Sequence, residues 1–161
     1  MALVIEDGSG VAGANSYVTV AEFKAYANAR KITIPVDDTD IEVLLIKAMD
    51  YLDAYEDSYY GDPYYTDDEY LSWPRIYYNQ TTGIPEDLKT AQIVIAIAAQ
   101  TVELFPVRPA GSKDATRETV GPITVEYARG AGSAYRPSIP QADALLRQFF
   151  VGNGQLQVIR G

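Results

Sequence analysis

The chain has 161 residues, enough for one domain with a single core, and hydrophobic residues make up 47% of it. It contains no cysteine and no histidine. Disulfides, thiolate metal sites and a histidine base are therefore excluded, which disfavours an enzyme. The net charge is −9, and so acidic a protein repels the phosphates of nucleic acid. A hydrolase that works with carboxylates alone stays open.

The charge is unevenly distributed along the chain. Residues 1–102 carry 17 acidic and 6 basic side chains, whereas residues 103–161 carry 5 acidic and 7 basic ones. This asymmetry fits subunits that stack head to tail, or a basic end that faces an acidic partner. Solubility alone is the other explanation of the acidity.

Neither a secretory signal nor a membrane helix is expected. The N-terminus becomes acidic and glycine-rich at Glu6–Gly10, unlike a signal peptide. The longest apolar run, Ile93–Ala99, is far shorter than the roughly 20 residues that a membrane helix needs. We expect a protein that is made and kept in a cytosol-like compartment.

Two Thr-x-x-Glu capping boxes predict the starts of the first two helices. The first box, Thr19 to Glu22, predicts a helix that fades near Lys31. The second, Thr39 to Glu42, is followed by apolar residues at helical spacing as far as about Tyr55.

The second half of the chain predicts two more helices with a hairpin between them. Pro85 suits the first position of a third helix, and the apolar run Ile93–Ala99 predicts that this helix is central and buried. Residues 117–128 alternate around Gly121-Pro122, which predicts a β-hairpin. A short fourth helix is predicted after Pro140.

Residues 56–83 form a Tyr/Asp-rich segment without a regular pattern. A connection of this length usually serves an interaction. Tyrosine is a favoured anchor in protein interfaces, and the interleaved acidic residues argue against stacking of single-stranded DNA. We therefore predict a partner-binding loop that includes Trp73 and Arg75.

No motif in the sequence indicates chemistry. Gly8–Gly13 differs from a dinucleotide-binding loop and predicts a turn. Asp37–Glu42 and Asp67–Glu69 offer oxygen ligands but lack the spacing of a calcium loop. We predict no catalytic residue, no metal and no cofactor.

The C-terminal residues have the pattern of a strand. Leu156, Val158 and Ile159 follow the helix-breaking sequence Gly152-Asn153-Gly154. Such a segment adds to a sheet edge, so we predict that these three residues dock on a partner. The alternative is pairing within the same chain, with Leu3–Ile5 or with the hairpin.

Several stretches, taken in order, resemble one family. They are Glu6–Gly8, Ala14–Glu22, Lys47–Asp53, Leu71–Arg75, Ile84–Ala91, Val120–Tyr127 and Leu145–Leu146. The chain thereby resembles phage-encoded proteins often labelled DnaT-like single-stranded-DNA-binding, which are similar to head-to-tail adaptor (head completion) proteins of tailed phages.

The resemblance implies a mainly α (α+β) fold, a bundle of about four helices with a β-hairpin between helices 3 and 4 and an extended C-terminal arm. Residues 1–150 would form the adaptor domain and residues 151–161 the docking arm. The resemblance also implies a structural role in the virion, as a ring of twelve copies between the portal protein and a downstream neck or tail protein.

DNA would pass through such a ring without specific binding. Acidic side chains facing the lumen would repel its phosphates, and the candidates are Asp62, Asp67, Asp68 and Glu69. A DnaT-like accessory protein that binds single-stranded DNA is the alternative function.

Overall fold

A computed structural model describes residues 2–67, 69–77, 80–106, 117–120, 123–126 and 137–151. These residues form two compact units. The first comprises the described residues up to Val102 and those from Ser138 onward, and the second lies within Glu103–Pro137. The predicted boundaries of an adaptor domain at 1–150 and a docking arm at 151–161 stay predictions. Leu156, Val158 and Ile159 lie outside the described residues.

The first unit is mainly helical, with a small sheet. Its helices are α1 (Val20–Ala29), α2 (Asp38–Asp53), α3 (Glu86–Ala98) and α4 (Pro140–Leu146), with 3-10 turns at Glu56–Ser58 and Arg147–Phe149. The predicted α+β fold class with four helices is confirmed. Within the described part of the chain, no helix has the length and apolar composition needed to span a membrane.

The predicted start of α1 is confirmed, and that of α2 is wrong by two residues. Thr19 and Glu22 form the predicted capping box, with the Glu22 amide donating to Thr19 Oγ1 at 3.1 Å. In α2 the cap is Asp37, whose carboxylate accepts from the Thr39 amide at 2.8 Å. Aspartate caps a helix as well as threonine does, so the earlier acceptor starts the helix. The same hydrogen bond lowers the pKa of Asp37.

The Tyr/Asp-rich segment contains a sheet that the sequence did not predict. Strands β1 (Asp62–Pro63), β2 (Arg75–Tyr77) and β3 (Gln80–Thr81) pair antiparallel in the order β1-β2-β3. In the second unit, β4 (Arg117–Val120) and β5 (Ile123–Glu126) pair with Val120 opposite Ile123. That register leaves two residues between the strands and confirms the predicted hairpin.

Helix α3 is the centre of the first unit, as its apolar sequence predicts. It packs against both α2 and α4. Its buried residues are Leu88, Ala91, Gln92, Ile93, Val94, Ile95 and Ala96. Pro85 lies one position before the helix instead of in its first position.

One polar residue lies in the middle of this apolar helix. Gln92 is fully buried, and its Oε1 accepts from the Tyr17 amide at 3.0 Å. Its Nε2 donates to Ser16 Oγ at 2.8 Å and to the Leu45 carbonyl at 3.1 Å. A single side chain thus ties the N-terminal segment and α2 to α3.

Replacing Gln92 with leucine of similar size tests this link. Gln92→Leu removes three buried hydrogen bonds and takes the acceptor from the Tyr17 amide, so we expect the free energy of unfolding to fall by about 2–4 kcal/mol. Urea denaturation followed by circular dichroism measures it. The control Gln100→Leu, at an exposed position just after α3, should change stability by less than about 0.5 kcal/mol. Equal effects of the two changes would contradict the assignment.

Candidate functional site

The glycine-rich turn after Glu6 is an anion nest filled by the chain itself. Glu6 is buried, with Oε1 accepting from the Gly8 and Gly10 amides at 2.7 and 3.0 Å and Oε2 accepting from the Val11 amide at 2.7 Å. Successive amides of this kind bind anions. The predicted turn is confirmed. Because the Glu6 carboxylate already accepts from its amides, a phosphate has no place there.

Glycine is required at position 10 of this turn. Gly10 has φ +80°, and a Cβ there would lie 2.3 Å from Cζ of the Tyr65 ring. The Tyr65 hydroxyl also donates to the Ser9 carbonyl at 2.7 Å. The Tyr/Asp-rich segment is therefore packed onto the N-terminal turn.

Trp73 and Arg75, both predicted to bind a partner, lie in the interior, with 1% and 4% of their surfaces exposed. The Trp73 amide donates to the Tyr17 hydroxyl at 3.1 Å. Arg75 donates from Nε to the Tyr60 carbonyl at 2.9 Å and from Nη2 to the Gly61 carbonyl at 2.7 Å. The Trp73 amide and the Arg75 side chain hold the segment together, and a partner could reach the two buried side chains only after a rearrangement.

Two aromatic side chains of the segment, Tyr59 and Trp73, are buried. The Trp73 ring meets the rings of Tyr59 and Phe149 edge to face, at centroid distances of 5.8 and 5.3 Å. The Tyr59 ring stacks on Phe150 at 5.6 Å. These contacts join the segment to the end of α4. Tyr64 and Tyr77 are about half exposed and fit the predicted interface better.

The acidic residues predicted to line a lumen are distributed over the segment. Asp62, in β1, and Asp67 are exposed, and Asp68 lies outside the described residues. Glu69 is exposed and lines the groove described next. Their orientation toward a lumen stays a prediction.

A groove of about 560 Å³ lies beside α2. We call it the α2 groove. The apolar lining residues are Ala12, Ala14, Ile46, Met49 and Leu71. The polar lining residues are Asn15, Asp50, Asp53, Glu69 and Tyr70, and Gly13 completes the lining. Its size is typical of a ligand pocket. No basic residue is among the described residues that line it.

Three of the stretches that carry the family resemblance meet at this groove. Ala14 and Asn15 come from the stretch Ala14–Glu22, Asp50 and Asp53 from Lys47–Asp53, and Leu71 from Leu71–Arg75. Tyr51 and Leu52, between the two aspartates, are buried in the core. The stretch Lys47–Asp53 therefore serves packing on one face of α2 and the groove on the other.

Asp53 is the most perturbed acid in the described part of the chain. Burial, followed by the charges of Glu56 and Asp50, raises its pKa to about 7. Burial also raises the pKa of Asp50. No hydrogen bond or ion pair from the described residues reaches the Asp53 carboxylate. A partly buried carboxylate without a partner is stabilised by a cation, so the groove suits a positively charged ligand with apolar parts.

The described lining of the groove is partly apolar and partly acidic. Within the described ranges, no group of three or more acidic side chains is placed to hold a metal ion. Because the lining is acidic, it repels a phosphate instead of binding one. Its chemistry is that of a binding site for a cationic group.

The sequence contains a signal for the α2 wall of this groove, in the spacing of four residues of α2. Ile46, Met49, Asp50 and Asp53 follow the i, i+3, i+4, i+7 spacing of one helix face. Two apolar residues are followed by two acidic ones on that face, which is unusual for either a core face or a solvated one. The groove walls outside α2 are distant in sequence and could not be inferred.

The comparisons with known proteins give a family. A family model described as "Putative DnaT-like ssDNA binding protein" matches residues 1–161, and the chain belongs to this family. No curated protein and no solved structure matches the chain. The predicted resemblance to the DnaT-like family is confirmed, and the head-to-tail adaptor role stays a prediction.

The pKa of Asp53 gives a pH-dependent prediction. An unfolded chain loses this proton near the ordinary pKa of 3.8, while the folded chain keeps it to about 7. Folding stability therefore falls as the pH rises through this interval. In a chain that carries Arg160→Ala, so that residues 152–161 supply no cation, we expect Asp53→Asn to raise the free energy of unfolding at pH 8 by about 2 kcal/mol, after allowing for partial exposure.

Urea denaturation at pH 5 and pH 8 measures this effect. The increase in the free energy of unfolding should be less than half as large at pH 5, because the folded protein holds the Asp53 proton there. Asp57→Asn removes an exposed carboxylate and serves as the control. A gain that does not depend on pH, or that Asp57→Asn reproduces, would contradict the assignment.

Proposed function

We propose that this protein is a non-enzymatic assembly subunit and, more specifically, a subunit of the head-to-tail connector of a tailed phage. The observation that carries the proposal is the acidic α2 groove, which suits a cationic protein segment and repels phosphate. Residues 1–102 with 138–161 hold 18 acidic and 8 basic side chains. A subunit with this charge can surround DNA without gripping it.

The proposed partners follow from the adaptor resemblance. They are the portal protein, a downstream neck or tail protein and further copies of the chain in a ring of twelve, with DNA passing through the lumen. The protein would be part of the virion, at the head–tail junction. A ring needs two different complementary faces on each subunit, and the acidic and basic parts of the chain supply opposite charges for them.

Single-stranded DNA binding is the second candidate function. The family description favours it more directly than any finding favours the connector. Residues 103–137 carry five basic and four acidic side chains, so any DNA contact in this chain is expected there and not on the acidic first unit.

Mixing the protein with portal protein or incomplete heads tests the connector role. We expect native mass spectrometry to show a complex with about twelve copies. Leu156→Ser with Val158→Ser should abolish the complex, because these residues are the proposed docking contacts. The control Gln155→Ser with Gln157→Ser changes the neighbouring polar residues of the same segment. It should leave the complex intact. No complex, or equal effects of both pairs, would contradict the proposal.

Fluorescence anisotropy of a labelled oligonucleotide tests the second candidate. The connector proposal predicts no binding at physiological ionic strength. Specific binding that weakens with salt, and that Arg117→Ala with Arg129→Ala abolishes, would support the second candidate instead. Lys31→Ala with Lys47→Ala removes two exposed charges from the first unit and is the matched control.

A further inference from the structure

We propose that the α2 groove binds the chain's own C-terminal segment, residues 152–161. The proposal concerns the free protein and does not depend on the connector role. It rests on the position from which the segment starts, on its length, and on how its side chains match the groove.

The segment starts close to the groove. The Val151 amide donates to the Ser58 carbonyl at 2.8 Å, which fixes the last described residue beside the end of the 3-10 turn Glu56–Ser58. Ser58 follows Asp53 by five residues, a distance of at most about 18 Å in an extended chain. The ten residues after Val151 span up to about 35 Å when extended. Asp53 is therefore within reach of the segment.

The composition of the segment complements the lining. Leu156, Val158 and Ile159 supply apolar side chains for the apolar part of the groove, and Arg160 supplies a cation. Residues 152–161 contain no acidic side chain. An arginine guanidinium forms strong paired hydrogen bonds with carboxylates, and Asp50, Asp53 and Glu69 are the carboxylates that line the groove.

A bound guanidinium would also relieve an energetic cost within the fold. Asp53 is partly buried and interacts with two like charges, Glu56 and Asp50. A cation in the groove stabilises the charged form of this carboxylate. Two basic residues of the first unit, Lys24 and Lys89, form ion pairs with acids outside the groove.

Attachment to the same chain favours this occupant over a second copy. A tethered ligand has an effective concentration in the millimolar range, far above the concentration of free chains in dilute solution. Binding within the chain also keeps an apolar, strand-forming segment away from the sheet edges of other molecules, which limits premature association.

The absence of cysteine in the chain allows a single spin label to test the proposal on full-length protein. Gly161→Cys carries the label, and the amide resonances of the isotope-labelled protein report which residues it approaches. We expect paramagnetic broadening at Ala14, Asp50 and Asp53. Asp50→Asn with Asp53→Asn, or Arg160→Glu alone, should remove that broadening while leaving the rest of the spectrum unchanged.

Two controls make the outcome decisive. Asp57→Asn with Asp67→Asn makes the same change in charge at exposed positions outside the groove and should leave the broadening intact. In a mixed sample, one set of chains carries only the spin label and the other set only the isotope. This sample should show no broadening, because any broadening in it would have to come from contact between chains. Absence of broadening at the groove in the doubly labelled chain would overturn the proposal. Broadening in the mixed sample would assign the groove to a second copy, which also overturns it.

Discussion

The first unit depends on one buried amide. Gln92 joins α3 to the α2 carbonyl of Leu45 and to the N-terminal residues Ser16 and Tyr17. A buried polar side chain that uses its donors and acceptors in this way favours one arrangement, because every other arrangement leaves unpaired groups. Tyr17 is thereby placed so that its hydroxyl accepts from the Trp73 amide. The position of the N-terminal wall of the α2 groove thus follows from a contact made in the centre of the core.

Features that depend on neighbouring residues could be predicted from the sequence, and features that depend on distant ones could not. The Thr19 capping box, the buried α3 and the hairpin all have local patterns. Where two local signals competed, at Asp37 and Thr39, the start of α2 was misplaced. The β1-β2-β3 sheet is held by Arg75, which donates to carbonyls 14 and 15 residues away. No periodicity indicates such contacts, so the segment had no predictable structure.

The stretches that mark the family serve mainly to build this fold. Three of these stretches contribute buried residues. They are Ser16 and Tyr17 from Ala14–Glu22, Tyr51 from Lys47–Asp53, and Trp73 and Arg75 from Leu71–Arg75. A family recognised through such residues is recognised by its fold, and a fold does not determine a function. Asp50 and Asp53 are different, because the core does not require a carboxylate at either position. Their carboxylates line the groove instead of packing in the core, which makes the α2 groove the better candidate for a functional site.

Net charge is a weaker guide to function than the distribution of charge. At physiological ionic strength, exposed charges more than about 8 Å apart are largely screened from each other, so −9 over the chain does not prevent a basic segment from meeting DNA. The near-neutral residues 103–137 must therefore be judged separately from the acidic first unit. Screening also supports the assignment of the α2 groove as a site for a cationic ligand. Its three carboxylates lie in one lining with no described basic residue among them, so its preference for a cationic ligand is set locally and holds for either candidate function.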